Sequence, residues 1–172
     1  MNKKEAWFFG YGSLIFEPII NGRELEKWCE PPIEGYIEKG IDFLHTSISR
    51  KNAPTLCFDG TGRITKGKCW RAVGQANINA ALKYLNDREG KVTNIEVILY
   101  DRRKVTAYCG NTEPDLQGKT TQEIAKQAVE SENKSFQNRG GVSYIRNCKS
   151  IGINTPMIDN LLQEIDYLMA KK

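Results

Sequence analysis

The sequence predicts one α+β domain with a strongly bent or barrel-like sheet and helices packed outside it. Three observations carry this. The first half is dominated by short apolar or alternating runs of strand character, the second half carries capped amphipathic segments, and 172 residues suffice for one full core. Neither an internal repeat nor a linker interrupts the chain, so residues 1–172 are expected to form a single domain.

Ala6 to Phe9 opens the sheet. Gly35-Tyr36-Ile37 and Ile41 to Ser47 are broken extended runs, and Pro54 to Phe58 is another. Asp59-Gly60-Thr61-Gly62 is a turn signal before the strand Lys66 to Val73. Asn77 is placed to cap a helix over Ile78 to Asp87, with Ile78, Ala81, Leu82 and Leu85 on one face. Thr93 to Tyr100 and Val105 to Cys109 form a hairpin whose charged tip is Arg102-Arg103-Lys104. Thr120-Thr121-Gln122-Glu123 is a capping box ahead of the stripe Ile124, Ala125, Ala128 and Val129. Ser131 to Gly141 is polar, contains two adjacent glycines, and reads as a surface loop more mobile than the final helix. In that helix Thr155 is the expected cap and Pro156 the first turn, before Ile158, Leu161, Leu162, Ile165 and Leu168.

Composition narrows the chemistry. A net charge of +4 is modest, and lysines and arginines are scattered among acids, so no one-sided patch for nucleic acid is expected. No apolar run approaches the roughly 20 residues of a membrane span, and Met1 to Glu5 leads into Trp7-Phe8-Phe9 without a signal-peptide core. The expected location is the cytoplasm. Five dispersed cysteines, with no Cys-x-x-Cys pair, do not form a disulfide framework. A catalytic thiol would want a histidine base, and the single histidine, His45, reads as structural; clustered zinc ligands are also lacking. An enzyme built on this chain works with carboxylates, tyrosines and backbone, and no metal site is expected.

Two features could carry such chemistry. In Gly10-Tyr11-Gly12-Ser13 a buried strand runs into a turn with glycines on both sides of a tyrosine. Such a turn permits positive φ and close approach of a ligand to main-chain N–H groups, and Ser13 adds a hydroxyl. It reads as a cradle for an anion or carboxylate, or as a bulged core strand. Glu89 falls just past the expected helix, with Gly90 after it. A carboxylate there meets the negative pole of the helix dipole, which favours proton uptake and suits a general base. The other reading is an exposed loop acid beside Arg88.

Phe9-Gly10-Tyr11-Gly12-Ser13-Leu14-Ile15 resembles the opening signature of the γ-glutamylcyclotransferase superfamily, in the form carried by its ChaC-type branch. Ser49-Arg50 with Pro54 is similar to that family's Ser-His-Arg-Gly segment and the proline after it, with Lys51 departing from the pattern. Tyr84-Leu85-x-x-Arg88-Glu89 resembles the segment bearing the family's catalytic glutamate. Thr106-Ala107-Tyr108 and Tyr144-Ile145-x-Asn147 resemble two later motifs, and all of these stand in family order.

The resemblance implies a compact fold on a small mixed β-barrel and a cofactor-independent reaction. In it, the α-amine of a γ-glutamyl group attacks its own γ-carbonyl, leaving 5-oxoproline and a released amine or peptide. Glutathione is the leading substrate, with γ-glutamyl amino acids or γ-glutamylamines as the alternative; a non-catalytic binder on the same fold is the third reading. Carried over residue by residue, Tyr11, Gly12, Ser13 and Leu14 hold the γ-glutamyl group and Glu89 moves the protons. Tyr108 and Tyr144 place hydroxyls near it or are wall residues. Arg50 meets a carboxylate on the leaving portion or serves packing.

Overall fold

A computed structural model describes residues 2–16, 23–135 and 140–172. The chain divides into two compact units, each built from two stretches of sequence.

The first unit comprises Met1–Lys39 and Gly62–Thr112. Its strands are β1 (Glu5–Gly10), β2 (Ile33–Ile37), β5 (Thr65–Val73), β6 (Val92–Leu99) and β7 (Lys104–Gly110). They close into a barrel in the order β1-β5-β2-β6-β7, as the bent sheet was expected to do. The pairs are antiparallel except at the closure, where β1 runs parallel to β7 with Trp7 opposite Ala107 and Phe8 opposite Tyr108. Two short helices, α1 (Ser13–Phe16) and α2 (Arg23–Leu25), follow β1 in the chain, and α3 (Gln75–Glu89) follows β5.

Strand alternation gives the barrel two apolar faces. Outside, Phe8, Trp70 and Ala72 share a core with Leu14 of α1, Leu25 of α2 and Ile78, Ala81 and Leu85 of α3. Inside lie Phe9 and Cys69, register partners that are 1% and 0% exposed. Gly35 and Gly67 make room for them, because a Cβ at Gly35 would sit 2.8 Å from Cys69 Sγ and one at Gly67 2.8 Å from Phe9 Cε2.

The second unit comprises Gly40–Thr61 and Glu113–Lys172. Here β3 (Ile41–Ser47) and β4 (Ala53–Phe58) form a two-stranded antiparallel ribbon around a 3₁₀ turn, Ile48–Arg50. Three helices complete it: α4 (Thr121–Lys134), α5 (Gly141–Ser150) and α6 (Ile158–Ala170). The Asp59–Gly62 turn does lie between two strands, but they belong to different sheets.

Several boundaries correct the sequence reading. Helix α3 starts at Gln75, not after an Asn77 cap; Asn77 lies within it and its Nδ2 donates to Val73 O at 3.0 Å. The expected 131–141 loop is shortened at both ends, since α4 runs to Lys134 and Gly141 already opens α5; residues 136–139, and the mobility expected there, lie outside the described residues. Thr155 does not cap α6 with its side chain. Its carbonyl takes the Ile158 N–H at 3.4 Å, Met157 is the cap position, and the buried Thr155 hydroxyl has no hydrogen-bond partner among the described residues. No helix among the described residues is long and apolar enough to cross a membrane.

Candidate active site

Strand β1 ends at Gly10 because the next turn occupies the space a side chain would need. A Cβ on Gly10 would sit 2.6 Å from Leu14 Cδ1 and 2.9 Å from Trp70 Cζ3. Leu14, 5% exposed, folds back onto the bare Cα and pins the turn to the core. Only its main chain is therefore available to a ligand. Gly12 has φ +66°, and its carbonyl accepts from Ile15 N at 2.9 Å. The turn thus presents the N–H groups that start α1, which have no carbonyl four residues back. Tyr11 is half-buried, its ring 6.3 Å from that of Phe9. The Ser13 hydroxyl lies outside what the structure describes.

Glu89 is the last residue of α3, two residues beyond the expected end of that helix. Gly90 terminates the helix with φ +72° and returns its N–H to Asn86 O at 2.8 Å, a glycine cap that the polar run 86–88 concealed. The Glu89 side chain is 25% exposed, so it is neither a free loop acid nor fully buried. Arg88 Nε lies 3.3 Å from Glu89 Oε1, and the arginine side chain is itself 16% exposed. The rest of the carboxylate packs on the end of β7, where a Cβ on Gly110 would be 2.8 Å from Glu89 Oε2. Its charge also reaches the Cys109 thiol, which burial first and Glu89 second push well above the ordinary thiol range.

The parallel β1–β7 closure brings these pieces to one end of the barrel. Phe8 and Tyr108 are register partners with ring centroids 5.5 Å apart. Two residues further along their strands, on the same face, come Gly10 and Gly110. One glycine begins the Gly10–Leu14 turn and the other underlies the Glu89 carboxylate, with Tyr108 beside it on that face. Backbone donors, a carboxylate and a phenol therefore share one edge.

Arg50 and Tyr144 meet within the second unit. Tyr144, on α5, is 5% exposed and lies edge-on to Phe43, with ring centroids 6.2 Å apart at 88°. Its hydroxyl accepts from Leu56 N at 3.4 Å, and Arg50 Cζ lies 4.7 Å from its ring centroid. Arg50 ends the 3₁₀ turn; Lys51 and Asn52 follow at φ 58° and 64°. Gln127 Nε2 ties this bend to α4 by donating to Asn52 O at 2.7 Å and Thr46 Oγ1 at 3.1 Å. His45 is a structural residue, its Nδ1 2.8 Å from Glu113 O. Sequence reasoning missed Gly110 and Gln127: Gly110 reads only as the end of a strand, and Gln127 as one more polar residue on a helix.

No curated protein sequence matches the chain. Among solved structures, a yeast γ-glutamyl cyclotransferase specific to glutathione is similar at 16% identity, with TM-score 0.67 over 95% of this chain and 96% of that one. A protein described as γ-glutamyl cyclotransferase shares 15% identity over 94% of this chain and 99% of its own, with TM-score 0.48. An Arabidopsis thaliana protein solved in solution shares 19% over 76% and 81%, with TM-score 0.47. The yeast likeness establishes a common fold. The ChaC-like protein family model matches residues 6–171, and the chain belongs to that family.

Proposed function

We propose that this protein is a γ-glutamylcyclotransferase whose leading substrate is glutathione, released as 5-oxoproline and cysteinylglycine. The observation that carries the reading is the seating of the Glu89 carboxylate on Gly110, two residues beyond Tyr108 on β7, at the barrel end where the Gly10–Leu14 turn begins. Family membership and the fold shared with the yeast enzyme support the same reaction, and the name of that enzyme supports glutathione.

The reaction is intramolecular, so the nucleophile arrives with the substrate. Glu89 takes a proton from the α-ammonium. The freed amine attacks the γ-carbonyl carbon and closes a five-membered ring, and the γ-amide C–N bond breaks as Glu89 returns the proton to the departing nitrogen. Glu89, again a carboxylate, then takes the second proton from the ring nitrogen, and that proton leaves on the released amine as its ammonium. Atoms balance without water. Main-chain N–H groups of the turn, with the Ser13 hydroxyl, grip the α-carboxylate and oppose charge on the developing oxyanion. The nucleophile is already tethered to its carbonyl, so the site has only to hold the glutamyl chain in a near-attack conformer, and the positioned carboxylate supplies about 10²–10⁴-fold. Tyr108 directs its hydroxyl to the γ-glutamyl group. Arg50 and Tyr144 are assigned to substrate binding on the motif resemblance, Arg50 toward a carboxylate of the leaving portion. Residues 1–172 act as one functional domain in the cytoplasm, the single-domain part resting on one family match over 6–171.

The test is incubation with glutathione, γ-glutamylalanine and γ-glutamyl-ε-lysine, with 5-oxoproline detected by mass. Release from glutathione above the other two is expected. Glu89→Gln, which keeps size and removes the base, should cut release by about 10²–10⁴-fold. No release from any of the three at high enzyme concentration would refute the assignment, as would near-normal release by folded Glu89→Gln.

A further inference from the structure

We infer that Gly110 is a positioning residue for the proton-transfer step: its bare Cα is the seat on which the Glu89 carboxylate lies. The inference rests on the cyclotransferase reading for its catalytic consequence, but the seat itself is a property of the fold.

Glu89 ends α3 and Gly110 ends β7, and the β6–β7 hairpin brings them together: Gly110 lies opposite Val92, and Asn111 N donates to Lys91 O at 2.9 Å. A Cβ added to Gly110 would come within 2.7 Å of Glu89 Cγ, 2.8 Å of Cδ and 2.8 Å of Oε2. Those are the three atoms that define where the carboxylate points. Gly110 has no positive φ, so an alanine fits its backbone conformation, and the methyl group's conflict is with Glu89 alone among its three nearest contacts. The bare strand end therefore fixes the height of the carboxylate above the sheet, and Arg88 Nε, at 3.3 Å from Oε1, steadies it from the helix side. Gly10, at the end of the parallel partner strand, is bare for a matching reason: its Cα is covered by Leu14 of the substrate turn. Both halves of the site thus rest on glycines where β1 and β7 end.

A methyl group at Gly110 must push the carboxylate aside, and a displacement of about 1 Å at a reacting group costs on the order of 10²-fold in rate. Gly110→Ala is expected to lower kcat by about that factor while KM for the γ-glutamyl substrate stays within roughly threefold, because the turn that grips the substrate is untouched. Unchanged kcat would overturn the inference.

A thermal-unfolding cycle separates this from a general packing defect and from failure of the cyclotransferase reading. Gly110→Ala should lower Tm when Glu89 is present and leave it unchanged or raised in a Glu89→Ala background, where the methyl group has free space. Loss of folding in the first background with folding in the second gives the same support. Equal Tm shifts in both backgrounds would overturn the seat. If the unsubstituted protein turns over no γ-glutamyl compound, the functional reading and the catalytic part of this inference fall together, while the Tm cycle still decides the seat.

Discussion

Phe8 and Tyr108 stand side by side where the barrel closes, opposite each other in the parallel β1–β7 register with their rings tilted at 32°. The contact fixes the phenol without engaging its hydroxyl. Tyr108→Phe should therefore leave Tm nearly unchanged. If the hydroxyl meets the γ-glutamyl group, losing that hydrogen bond lowers kcat/KM by about tenfold. Tyr108→Ala also removes ring packing and should cost about 2–3 kcal/mol in urea unfolding. A Tyr108→Phe enzyme with unaltered kcat/KM would reduce Tyr108 to a wall residue.

Gly12 makes a conformational demand. At φ +66° an L residue pays about 1–2 kcal/mol, and a β-branched one fits worse still. Gly12→Ala should fold with reduced Tm and a raised KM, while Gly12→Val should lose turnover altogether. Circular dichroism and 5-oxoproline release, measured on the same samples, separate a distorted turn from an unfolded protein. A Gly12→Val protein with normal kinetics would remove the turn from the substrate site.

The cysteines give a pH prediction. Burial is the main cause pushing the Cys57 and Cys69 thiols up to about 12, from the ordinary thiol value of 9.0. A thiol whose folded pKa is raised favours the neutral form. Its contribution to stability is whole below pH 9 and is lost progressively as pH rises toward 12. Alkylation by iodoacetamide at pH 8 should accordingly be slow at both residues in native protein and fast in urea, read by peptide mass mapping. Rapid native labelling of either would contradict its burial.

How far the site was legible depends on how far apart its parts lie in the chain. The Gly10–Ser13 turn could be read because its glycines and tyrosine are adjacent, and the hairpin around Arg102–Lys104 because its punctuation is local. Helix α5 could not. Gly140-Gly141 looks like a loop, yet Gly141 N donates to Ser131 Oγ at 2.7 Å and Ser143 N to Glu132 Oε2 at 3.1 Å. Those acceptors, supplied by α4, satisfy the start of α5 from outside any local window, and a Cβ on Gly141 would sit 2.7 Å from Ala128 Cα. The glycines are thus a helix-packing requirement. The Glu89–Gly110 contact was hidden for another reason: the hairpin is legible, but not the register that sets Gly110 opposite Val92, just past the end of α3. The extended runs Ile41–Ser47 and Pro54–Phe58 announced strands, but pairing decides which sheet they enter, and they form a two-stranded sheet of their own.

Where the local signal was complete, the structure follows it closely. Thr120 Oγ1 accepts from Glu123 N at 3.2 Å, and Glu123 Oε2 accepts from Thr120 N at 2.7 Å, closing the capping box at the start of α4. The backbone N–H of Thr120 is the main cause holding the Glu123 carboxyl below its ordinary range. A carboxyl with a lowered folded pKa contributes stability that is present above its unfolded pKa and disappears as pH falls through the folded value. Thr120→Ala should lower stability by about 1 kcal/mol at neutral pH. Glu123→Gln should lower Tm at pH 7 and show a shrinking difference from the unsubstituted protein as pH drops below about 4. A difference that stays constant from pH 7 to pH 3 would mean that the side chain acts through packing and not through its charge.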